Sequence, residues 1–65
     1  ANPLSDTVVA APASLPAGSQ LVKQTARWWL YHNAAHARTY LVMADRPGRV
    51  RLVTYAGRVT PPCCR

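Results

Sequence analysis

QLVKQTARWWLYHNAAHA, residues 20–37, admits two readings, and the fold turns on which one holds. As a helix, Ser19 caps its start and the Ala-rich run at 34–37 suits helical propensity. Its apolar stripe would be Val22, Ala26, Trp29 or Leu30, Ala37 and Leu41, and Asn33 interrupts it. As a strand, the alternation is cleaner. Val22, Ala26, Trp28 and Leu30 fall on one side, with Lys23, Thr25, Arg27, Trp29 and Tyr31 on the other; only Gln24 spoils the apolar set. The strand reading is preferred.

The next segment supports it. Residues 38–45 and 49–56, RTYLVMAD and RVRLVTYA, are rich in β-branched and aromatic residues and flank Pro47-Gly48, a turn dipeptide. A two-residue turn sets Arg46 opposite Arg49, Met43 opposite Leu52 and Leu41 opposite Thr54. A turn over Asn33 to His36 sets His32 opposite Ala37, Leu30 opposite Thr39 and Trp28 opposite Leu41. Strand side chains alternate between faces, so these pairings gather Val22, Ala26, Trp28, Leu30, Leu41, Met43, Val50 and Leu52 on one apolar side. A slip of one residue would bury arginines with that core, at a cost of several kcal/mol for an unpaired guanidinium.

The expected fold is therefore mainly β: a small three- to four-stranded antiparallel sheet with an extended N-terminal arm. The alternative is α+β, a helix over 20–37 followed by a β-hairpin over 38–56. Residues 1–19 read as a Pro/Ala-rich arm whose short apolar run, Thr7 to Ala10, can add an edge strand. Residues 20–60 form the antiparallel β domain, and 61–65 a flexible Cys-containing tail.

The same parity assigns the opposite side: Lys23, Arg27, Trp29, Tyr31, Arg38, Tyr40, Arg49, Arg51 and Tyr55, with Val42 and Val53 among them. Rings on a sheet offer bases a stacking surface while nearby cations neutralise phosphates. The charge agrees, since eight Lys and Arg face two Asp and give a net charge of +6. Every cation lies after position 22, and seven of the eight are Arg, which favours planar and bidentate contacts. The partner expected from these residues is nucleic acid, in single-stranded or loop regions. The rival is an acidic protein surface, with the chain acting as a small regulator or inhibitor docked on a larger machine.

Other chemistries draw less support. His32, His36, Cys63 and Cys64 have the ligand types for zinc, but adjacent cysteines aim both sulfurs at one ion with difficulty, so no metal or other cofactor is expected. Asp6 and Asp45 are the only carboxyl side chains and there is no Glu, which leaves little for acid–base catalysis. No run approaches the ~20 apolar residues of a membrane span, so a membrane partner is not expected. Two neighbouring cysteines make no disulfide framework, consistent with a reducing, cytoplasmic setting. About ten apolar side chains face inward with little in the arm to cover them, so a homo-oligomer is expected.

Overall fold

A computed structural model of the chain describes residues 2–10 and 14–59. It is mainly β, with five antiparallel strands in one sheet: β1 (Ser5–Ala10), β2 (Gln20–Gln24), β3 (Trp28–Asn33), β4 (Arg38–Arg46) and β5 (Arg49–Ala56). Their spatial order is β1-β5-β4-β3-β2, so four consecutive strands meander and the first returns beside the last. The apolar run expected to extend the sheet does so as β1, paired along β5 from Ser5 opposite Thr54 to Ala10 opposite Arg49.

Residues 20–31 do not form one strand. They divide at Thr25, whose backbone N–H donates to the carbonyl of Trp28 at 2.8 Å while its Oγ1 accepts from the N–H groups of Arg27 and Trp28, each at 3.2 Å. A hydroxyl that satisfies two backbone donors in this way makes a local turn that competes with strand continuation. Val22 and Ala26 accordingly lie exposed rather than on an apolar face, and β2 carries a bulge between Leu21 and Lys23.

The β4–β5 hairpin is where expected and turns at Pro47-Gly48. Gly48 has φ of 77°, which with proline before it fits a type II turn. Arg46 faces Arg49 as the two-residue turn requires, but the ladder then skips Asp45. Beyond that bulge Met43 faces Arg51 and Leu41 faces Val53, one residue away from the unbulged register. A type II turn matches the twist of a hairpin poorly, and a bulge next to it supplies extra right-handed twist. The β3–β4 turn occupies Ala34–Ala37 with Leu30 opposite Leu41; this is a two-residue shift from the expected pairing and preserves its parity.

The main core cluster lies on one sheet face, and Tyr40, also buried, lies on the other. Leu30, Leu41, Val53 and Tyr55 are buried together, and Trp28, Met43 and Val59 pack against them. Thr39, itself buried, fixes the segment after β5: its Oγ1 donates to the carbonyl of Gly57 at 2.5 Å and accepts from the N–H of Val59 at 3.2 Å. Asn33 is fully buried at the end of β3. Its Nδ2 donates to the Ala17 carbonyl (3.1 Å) and to Ser19 Oγ (3.2 Å), while Oδ1 accepts from the His36 N–H (3.1 Å). The residue that breaks the helical stripe is thus the clamp between the β1–β2 connection and the β3–β4 turn. The chain measures 30 × 25 × 19 Å.

Candidate nucleic-acid interface

The residues expected to share one basic–aromatic face are divided between both. Partners directly opposite in a ladder share a face. Trp29, Tyr31, Arg38 and Tyr40 fall on the outer face, where Trp29 opposes Val42 and Tyr31 opposes Tyr40. Arg49, Arg51 and Tyr55 lie on the inner face with Val53, because the Asp45 bulge inverts β5 relative to the unbulged register. Val50 and Leu52 move outward for the same reason. Lys23 opposes Leu30 and is exposed on the edge strand, and Arg27 is exposed in the β2–β3 turn. Tyr40 and Tyr55 are each only 8% exposed, so neither offers a ring face to a ligand.

The electrostatics follow from two carboxylates and eight cations. Asp6 on β1 holds Arg51 with both oxygens, Nε to Oδ1 at 2.6 Å and Nη2 to Oδ2 at 2.5 Å. The hydrogen bond from Arg51 lowers the Asp6 carboxyl below its ordinary value of 3.8, and the same bond raises the guanidinium. Asp45 takes Arg46, Nε to Oδ2 at 3.2 Å. Both acids are then engaged. Lys23, Arg27, Arg38, Arg49 and Arg58 have no carboxylate partner among the described residues. Arg38 donates instead to the backbone carbonyls of His36 and Ala37.

One end of the sheet combines charge with a recess. A shallow, mostly apolar groove of about 500 Å³ is lined by Thr25, Ala26, Arg27, Trp28, Met43 and Ala44. The Ala44 N–H donates to the Arg27 carbonyl at 2.8 Å, which holds the β2–β3 turn against β4 and closes the groove floor. Trp28 and Met43 oppose each other there, and Arg51 follows Met43 in the same row. Arg46 and Arg49 close the hairpin at this end. A half-buried indole and a polarizable thioether beside the Arg27 guanidinium can receive a flat ring and an anion attached to it. Sequence parity put Trp28 and Met43 in the core, and they do pack against it; their exposed halves were the missed feature. Neither composition nor hydrophobic period marked the Thr25 turn that leaves them there.

The histidines have local duties. Since the Thr39 hydroxyl proton goes to Gly57, the 3.4 Å contact between Thr39 Oγ1 and His32 Nδ1 makes the imidazole the donor. His36 lies exposed in the β3–β4 turn. Among the described residues no three His, Cys, Asp or Glu come together as a metal site; Cys63 and Cys64, with the rest of the 61–65 tail, lie outside those residues. No described helix is long and apolar enough to cross a membrane.

No protein-family model, curated protein or solved structure matches the chain. Its site is read from its own geometry.

Proposed function

We propose that this chain is a non-enzymatic binder of single-stranded nucleic acid, with one base seated in the groove against Trp28 and Met43 and the flanking phosphates on Arg27 and Arg49. The observation that supports it most is the groove lined by Trp28, Met43 and Arg27, a guanidinium with no carboxylate partner among the described residues. Stacking on one indole supplies about 1–3 kcal/mol, and each phosphate contact adds a salt-dependent share. A duplex keeps its bases stacked inside, so the groove suits an unpaired strand.

The test is Trp fluorescence and labelled-oligonucleotide anisotropy with a short single strand, across a salt series. Saturable quenching is expected with wild type and with Trp29→Phe, and its loss with Trp28→Phe. Arg27→Ala and Arg49→Ala should each reduce the slope of log affinity against log salt by about 0.7. Binding that ignores salt, or quenching that survives Trp28→Phe, would reject the groove as the site.

A further inference from the structure

We propose that the outer sheet face is a self-association surface, on which a second copy of this chain packs face to face. This goes beyond the nucleic-acid reading and does not rest on it. Around Tyr40, which the chain itself buries, Val9, Val50, Leu52, Val42, Trp29 and Tyr31 form an apolar field, each half-buried, and Leu21 extends it onto β2. Ser5, Thr7, Thr54 and Gln24 border that field with uncharged polar groups.

The charge on this face selects the occupant. Alternation from the ladders gives it one cation, Arg38, at one end, and no acid. A polyanion or an acidic protein seated there would leave its charges desolvated and unanswered. A surface equally free of charge is required, and the chain's own outer face is one. A two-fold axis running across the strands places the two Arg38 residues at opposite ends of such a pair, and the apolar rows meet as two layers of a β-sandwich. The grooves then remain accessible at the ends. The interior of one chain also gives reason for the pairing: among the described residues its buried apolar cluster is Leu30, Leu41, Val53 and Tyr55, a small core.

Salt separates this contact from nucleic-acid binding. Two bodies of charge +6 repel, so screening tightens their association, whereas it weakens attachment to phosphates. Sedimentation velocity over a concentration series should show conversion from the 7.1 kDa chain to twice that mass, shifted toward dimer by added salt. Val42→Lys should raise the dimer Kd about tenfold or more by burying a charge in the contact. Leu21→Lys, at an already exposed position on the same face, should weaken it without threatening the fold. A chain that stays at 7.1 kDa up to its solubility limit overturns the proposal. So does a dimer indifferent to both substitutions, which would be one joined through the open edges of β1 or β2. A monomer that sediments with phosphatidylcholine–phosphatidylserine vesicles and loses them on Val42→Lys would assign the face to lipid and overturn it equally.

Discussion

Met43 stands directly opposite Arg51, and Leu52, its partner in an unbulged hairpin, faces the other way. This follows from Asp45, which the β4–β5 ladder skips. One extra residue in one strand exchanges the two faces of everything beyond it, because side chains alternate with a period of two. Val53 and Tyr55 thereby enter the core, while Val50 and Leu52 leave it.

That exchange predicts an order of stability losses. Val53 is 4% exposed in the core cluster, whereas Leu52 is half-buried on the outer face. Val53→Ala should cost about 2 kcal/mol in urea unfolding, and Leu52→Ala less than about 1 kcal/mol in dilute protein, although leucine loses more atoms. A larger loss at Leu52 would restore the unbulged register.

Much of the architecture was legible in period and turn chemistry. Alternation gave a strand over residues 20–31, which the structure keeps as two strands broken at Thr25, Pro47-Gly48 gave the hairpin, and the parity joining Trp28 and Leu30 to Leu41 and Met43 holds. Two local events were not legible. The turn at Thr25 rests on one hydroxyl reaching two backbone donors, and the Asp45 bulge depends on how the hairpin's twist meets the rest of the sheet. Neither alters composition or hydrophobic period. Both redistribute the candidate site, splitting the expected face and leaving the groove beside Trp28.

Asn33 is a second point of leverage. Fully buried, it bonds the Ala17 carbonyl, Ser19 Oγ and the His36 N–H. Asn33→Ala removes all of these and leaves backbone groups without their partner, so a loss of about 2–3 kcal/mol is expected in denaturant melts. Asn33→Asp keeps the acceptor for His36 but has no donor for Ala17, and should recover only part of the loss. Stability equal to wild type in either variant would mean the clamp contributes nothing.

The Asp6–Arg51 pair ties β1 to β5 and makes that edge sensitive to acid. The folded-state carboxyl is lowered chiefly by the hydrogen bond from Arg51. Its contribution is therefore complete above the ordinary value of 3.8 and is lost as pH falls through the lower folded value. Wild type should lose stability on acidification in that range more steeply than Asp6→Asn, and hydrogen exchange of β1 amides should rise first. Both residues are solvent-exposed, so high salt should flatten the difference. Parallel acid profiles for the two proteins would remove the pair from the account.

Ala37 offers a stabilising change. Its φ of 51° lies in the left-handed region, where a Cβ crowds the following carbonyl. The residue is exposed, and the bonds made here, Gly57 N–H and Arg38 Nη1 to the Ala37 carbonyl, use only backbone of residue 37. Ala37→Gly keeps them and removes the crowding, against which stands the greater freedom glycine gives the unfolded chain. The crowding costs roughly 1–2 kcal/mol and the added freedom roughly 0.5–1 kcal/mol, so the variant should gain up to about 1 kcal/mol. Ala37→Val, branched at Cβ in the same conformation, should lose at least as much. Urea midpoints for the three proteins should fall in the order Gly, Ala, Val; a glycine variant less stable than wild type would show that residue 37 is not held left-handed in solution.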